Sequence, residues 1–223
     1  MNRRTAWILL GLLAAPSFSD AQVTQQGNKY LFRMKFTKGQ KVSYKMTSTS
    51  TGMGSQAIST SMTMTTTVTD VKNGKATMEV AMGQILMNGK PMGQGGQKQT
   101  ITVDSTGGNV QGAGMGTVGA NFPKEAIAIG DTWKASVPVA AGGAGSGNMQ
   151  STYKFVGFTN VNGIRAARIT ISVSGFSTGS GTMLVDTRDG SMISTDITTT
   201  TKIPNPNSQQ PVQLKSQIKV VRV

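Results

Sequence analysis

The chain has 223 residues, with 22 Lys or Arg against nine Asp or Glu for a formal charge of +13, and contains neither histidine nor cysteine. Without imidazole or thiol there is no Ser-His-Asp or Cys-His pair, no ordinary zinc site and no imidazole base near neutral pH, which excludes most hydrolase mechanisms. Disulfides are excluded too, so the fold must live on its core, and the basic excess favours polyanions.

Residues 1–21 read as an export signal. Arg3 and Arg4 form a positive start, Ala6-Trp-Ile-Leu-Leu-Gly-Leu-Leu-Ala-Ala15 forms a short apolar run, and Ser19-Asp20-Ala21 places small residues where a signal peptidase cuts. The apolar run is half the length of a bilayer span of about 20 residues. The expected product begins at Gln22, is secreted or periplasmic, has no transmembrane segment, and keeps its charge excess, because the leader holds only two basic residues and Asp20.

From Lys29 onward apolar and polar residues alternate with period two between Gly, Asn and Asp turns, which predicts an all-β chain. The expected fold over residues 22–223 is one antiparallel sandwich or open half barrel of about ten strands. Tyr30, Phe32, Met34 and Phe36 share one face of a first strand, with Val42, Tyr44 and Met46 on a second. An even register then sets Phe36 opposite Val42, Met34 opposite Tyr44, and Arg33 opposite Lys45, around a Lys38-Gly39-Gln40 loop. Another hairpin is expected at Val71-Lys-Asn-Gly74, between Met62-Thr-Met64 and Ala76-Thr-Met78. Further strands are expected at 99–103, 133–139, 151–158, 164–173, 181–187, 192–202 and 212–221, with a turn at Pro204-Asn-Pro206-Asn before the last. Two glycine-rich stretches, 107–119 and 140–148, read as loops or irregular edges.

The halves resemble each other. Gly39-Gln-Lys-Val matches Gly130-Asp-Thr-Trp133, and the segment from Val71 to Val80 matches that from Val161 to Ile171. Val103-Asp-Ser-Thr-Gly-Gly-Asn-Val110 matches Val185-Asp-Thr-Arg-Asp-Gly-Ser-Met192. The matches are collinear and predict pseudo-repeats over about 29–112 and 121–223.

Short catalytic patterns occur without their contexts. Gly175-Phe-Ser177-Thr-Gly179 resembles a nucleophile elbow, which needs a following helix and a histidine. Ser151-Thr-Tyr-Lys154 fits S-x-x-K but lies in an alternating strand, and Gly114-Met-Gly116-Thr-Val-Gly119 lacks a βαβ unit. Asp104 and Asp186 evoke the paired carboxylates of aspartic proteases, but the glycine required directly after Ser105 or Thr187 is missing, so both read as turn aspartates. Met62, Met64, Met78 and Met82 are thioethers of a kind that Cu(I) accepts, and their apolar faces favour a core role. No metal or cofactor is expected.

The phrase Phe122-Pro-Lys-Glu-Ala-Ile-Ala-Ile-Gly-Asp-Thr-Trp133, followed by Tyr153-Lys-Phe-Val-Gly and Val161-Asn-Gly, resembles an uncharacterised family of secreted bacterial all-β proteins marked by Gly-Asp-Thr-Trp. That resemblance implies no activity. A more distant likeness is to half-barrel carriers of the LolA-like type, which shelter acyl chains beneath a lid helix; no helical periodicity is found here. The leading expectation is a non-catalytic secreted or envelope binding module, with Arg33, Lys35, Lys41 and Lys45 meeting an anionic polymer or lipid headgroup and no specific nucleic acid. The alternative is a carrier whose cavity is lined by Tyr30, Phe32, Tyr44 and Met46. A hydrolase built on Asp104 and Asp186 is the third.

Overall fold

The computed structural model describes residues 22–52, 54–93, 95–111, 121–141, 145–175, 177–203 and 211–223. The expected leader, the G-x-G-x-x-G stretch at 114–119 and the turn at 204–207 lie outside these residues. Fifteen strands and no helix occur among the described residues. In chain order they are β1 (Val23–Gln26), β2 (Lys29–Phe32), β3 (Lys41–Gly52), β4 (Gly54–Lys72), β5 (Lys75–Met82), β6 (Ile85–Met87), β7 (Lys90–Met92) and β8 (Lys98–Asp104). There follow β9 (Asn109–Gln111), β10 (Thr132–Ala141), β11 (Gly145–Val161), β12 (Ile164–Gly175), β13 (Ser177–Asp186), β14 (Met192–Ile203) and β15 (Val212–Arg222). The excess over the expected ten comes from short strands such as β1, β6, β7 and β9.

Thirteen strands form one antiparallel sheet in the order β10-β11-β12-β13-β14-β15-β3-β4-β5-β8-β9, with the β6-β7 hairpin attached to β4. The sheet is open, with β10 and β9 at its ends. The last strand sits in the middle: β15 pairs with β14 on one side and β3 on the other. Alternation decides the two faces, since successive side chains point opposite ways. Tyr44, Thr66, Val80, Ile171 and Phe155 fall on the inner, covered face, whereas Lys45, Thr63, Lys154 and Lys219 fall on the outer one.

Two straps cover the inner face. The first comprises the β1-β2 hairpin and residues 33–40; the second is residues 121–131, and a bridge from Tyr30 to Ile127 joins them. Phe32 meets Phe122 and Phe155 with ring centroids 5.4 and 5.0 Å apart, while Tyr30 meets Phe158 at 4.9 Å. Trp133 stacks on Tyr153 at 5.3 Å and donates from Nε1 to the carbonyl of Asn121. Each buried phenyl contributes about 2–3 kcal/mol of apolar burial. A second, aliphatic cluster of Val68, Ala76, Met78, Val80, Ile101 and Val103 lies under β4, β5 and β8.

The first expected hairpin does not form. β2 ends at Phe32 and pairs with β1, because both sides of β3 are taken by β4 and β15. The alternation from Tyr30 to Phe36 instead serves packing against the sheet. Beyond Phe32 the backbone donors leave β3 aside: Arg33 N donates to Gln22 O at 2.9 Å, and Met34 N and Lys35 N donate to turns, at Ser105 O (2.6 Å) and Asp189 O (2.9 Å). Arg33 therefore never faces Lys45, whose neighbours across the strands are Thr63 and Val221. In the stretch 140–148, expected as a loop or irregular edge, Ala140 pairs with Ser146 and Ala141 with Gly145 at the end of the β10-β11 pair on the sheet's edge.

The segments matched between the halves make the same local bonds. Gly39 N donates to Val68 O, and Gly130 N to Phe155 O; Gln40 N donates to Thr37 O, and Asp131 N to Ala128 O. The side chains of Gln40 and Asp131 in turn accept from the amides of Thr37 and Ala128. Asn73-Gly74 and Asn162-Gly163 all have positive φ, the conformation that two-residue hairpins of right-twisted strands require.

Candidate functional site

The two aspartates singled out in the sequence occupy turns that converge on the first strap. Asp104 closes the β8-β9 turn: its Oδ1 accepts from Thr106 N at 2.8 Å, Thr106 Oγ1 at 2.6 Å and Gly108 N at 3.1 Å. Asp186 closes the β13-β14 turn and is fully buried, accepting from the Arg188 amide and guanidinium and from Arg222 Nη2 at 3.0 Å. Burial alone would raise both pKa values. At Asp186 the hydrogen bonds from Arg188 and Arg222 outweigh it and hold the carboxyl at about 2. At Asp104 the hydroxyl and amide of Thr106, the Gly108 amide and the charge of Lys124 also win, and the pKa is lowered. A proton-sharing dyad needs one carboxyl raised and the pair in contact. Here both are lowered, and among the described residues neither accepts from the other. These are turn-closing groups.

The four cations expected to act together are divided. Arg33 is half-buried, and its guanidinium donates to the carbonyls of Phe32, Pro123 and Lys124, tying the first strap to the second. Lys35 is exposed on the first strap. Lys41 and Lys45 are exposed on the outer face of β3, where β15 adds Lys215 and Lys219. Lys219 lies diagonally from Lys45, at about 7–8 Å between backbones. Asp196 on β14 reaches Lys219 at 3.5 Å and also accepts from Gln217. Around these groups the face is hydroxylic, with Thr47, Thr49, Ser61, Thr63 and Thr65 projecting outward. The sequence alone does not bring Lys215 and Lys219 to β3, because their proximity depends on pairing across about 170 residues; the alternation Lys215-Ser-Gln217-Ile-Lys219 marks only their shared face.

The proposed cavity lining is likewise split. Tyr30 and Phe32 lie on the strap that fills the inner face, not on the sheet. Tyr44 is buried on β3, its hydroxyl pushed up to about 12 by burial despite the opposing charge of Arg222. Met46, one residue pair further along β3, is half-buried. A recess beside Tyr44, lined also by Met34, Phe36, Val68 and Met78, offers about 20 Å³, room for about one water. Of the methionines read as core, only Met78 is buried; Met62, Met64 and Met82 are partly buried, Met64 packing against both core clusters.

No family model matches the chain, and no curated protein sequence matches it. Among solved structures it is similar to a DUF1329 family protein from Desulfovibrio piger, at 8% identity over 83% of this chain and 84% of that one, with a TM-score of 0.24. No helix among the described residues is long and apolar enough to cross a membrane.

Proposed function

We propose that the protein is a non-catalytic exported binding module whose outer face, at the β3-β15 junction, engages an anionic polymer of the cell envelope. One observation carries this reading: Lys41, Lys45, Lys215 and Lys219 share the outer face of two adjacent strands, with Asp196 beside Lys219 on β14 and Glu79, already paired with Lys98, two strands from Lys41 on β5. Lys45 and Lys219, diagonal neighbours, repel one another mildly, and an anion between them relieves the repulsion, while Lys41 and Lys215 each lie four residues further along the same face, about 13 Å away. The surrounding threonine and serine hydroxyls supply donors for phosphate or carboxylate oxygens. The face differs from the one expected from sequence, because Arg33 is committed to the carbonyls of Phe32, Pro123 and Lys124.

The test is titration of polyphosphate or lipopolysaccharide against the wild type and Lys45→Ser/Lys215→Ser at several salt concentrations. The expected result is binding that weakens steeply with salt, as screening of exposed charges requires, and that falls several-fold in the double variant. Equal, salt-insensitive affinities would remove this face from the proposal.

A further inference from the structure

Beyond the straps, the inner face carries a block of thioethers. Met46 on β3 lies directly opposite Met62 on β4, and Met64 on β4 lies directly opposite Met82 on β5. Directly opposed residues have Cβ atoms about 4.5–5.5 Å apart, and Met62 and Met64, two apart on one strand and facing the same way, are separated by about 7 Å. A methionine side chain with three rotatable bonds spans such distances, so four sulfur atoms can converge over one point of the sheet.

All four side chains are partly exposed, and of them only Met64 packs against the two core clusters. The thioethers of Met46, Met62 and Met82 thus lie outside the buried core and within reach of solvent. The sulfur of Met192 shows the contrast: it lies in the core and accepts from the Thr195 hydroxyl at 2.8 Å. The inner-face neighbours of the block include Tyr44 of β3, directly opposite Met64, and Val220 of β15, directly opposite Met46, with Ser48, Thr66 and Val80 next along the strands, all uncharged. Arg222, the cation on this face beside Tyr44, is bound to Asp186. A cation entering here meets neutral, polarisable sulfur and no ammonium group from these neighbours.

We propose that Met46, Met62, Met64 and Met82 form a binding site for a soft monovalent cation, Cu(I) or Ag(I). Thioethers are neutral soft ligands that select such ions over Zn²⁺, Mg²⁺ or Ca²⁺, whose sites use imidazole, thiolate or oxygen. The chain has no histidine or cysteine to compete for the ion. The site is independent of the outer lysine face and stands or falls apart from it.

The experiment uses purified protein with ¹³C-labelled methionine methyl groups, titrated with Ag⁺ and, under anaerobic conditions, with Cu⁺ against a chromogenic chelator. One equivalent of Ag⁺ is expected to shift the methyl signals of these four methionines and to leave that of exposed Met92 in place. Met62→Leu/Met82→Leu, which conserves volume, is expected to weaken binding at least about tenfold, whereas Met92→Leu is not. Should the double variant fold poorly, the wild-type methyl map decides alone. Shifts spread evenly over all methionines, no shift at one equivalent, or equal affinity for Zn²⁺ would overturn the proposal.

Discussion

The turns at Asp186 and Asp104 hold neighbouring residues of the same strap with different chemistry. Ser105 O takes the amide of Met34 and Asp189 O takes that of Lys35, so the strap is gripped once from each half of the sheet. At Asp104 the carboxylate is met by a hydroxyl and two amides, all part of its own turn. At Asp186 it is met by two guanidinium groups, one of them brought from β15 at the far end of the chain. The first turn is a local device. The second couples the strap, β13 and the last strand through one buried charge.

The contrast should show most strongly when each carboxylate is removed. Asp186→Ala leaves Arg222, whose side chain is only 21% exposed, without its ionic partner, and should cost about 3–5 kcal/mol in a denaturant titration. A loss below about 1 kcal/mol would refute the coupling role. The glycines of the two turns provide the next test. A Cβ on Gly190, which has φ +72°, would lie 2.2 Å from the Arg33 carbonyl oxygen, so Gly190→Ala should cost about 2–4 kcal/mol through strain and displacement of the strap. Asp104→Ala, which frees donors already near solvent, should cost about 1–2 kcal/mol. In Gly108→Ala the new methyl meets Asp104 oxygens at an ordinary 3.4 Å, and the cost should stay within about 1 kcal/mol. Equal losses at Gly190 and Gly108 would erase the distinction.

Acid should give a smaller signal of the same kind. The folded pKa of Asp186 is about 2 against an ordinary 3.8, so its stabilisation is complete above the ordinary value and disappears as pH falls towards 2. Melting temperatures between pH 5 and pH 2 should fall more steeply for the wild type than for Asp186→Asn; parallel curves would contradict the buried ion pair.

The strands were legible where alternation is strong and turns are marked, as at Ala76-Thr-Met78-Glu-Val80 and from Val212 to Val221. What alternation leaves open is the partner. Tyr30 to Phe36 has the period of a strand, and its aromatic side does face the core, but its amides bond to β1, to the second strap and to turns rather than to β3. Nothing within the segment distinguishes those two uses. The turn roles of Asp104 and Asp186 were legible from the residues around them, because Asx turns are local. Arg222 as a partner of Asp186, and Lys215 and Lys219 as neighbours of β3, depend on contacts between distant segments and leave no local mark.

The central position of β15 also sets an order of events. As a chain grows from its N-terminus, β3 can pair with β4 almost at once, yet its other edge waits for β15, some 170 residues later. Pairings this distant are slow to form, and an unpaired edge is a template for wrong partners in the meantime. Lys41 and Lys45 lie on that waiting strand, and charged residues on an edge discourage such mispairing. Joining of the two halves of the sheet therefore waits for β15.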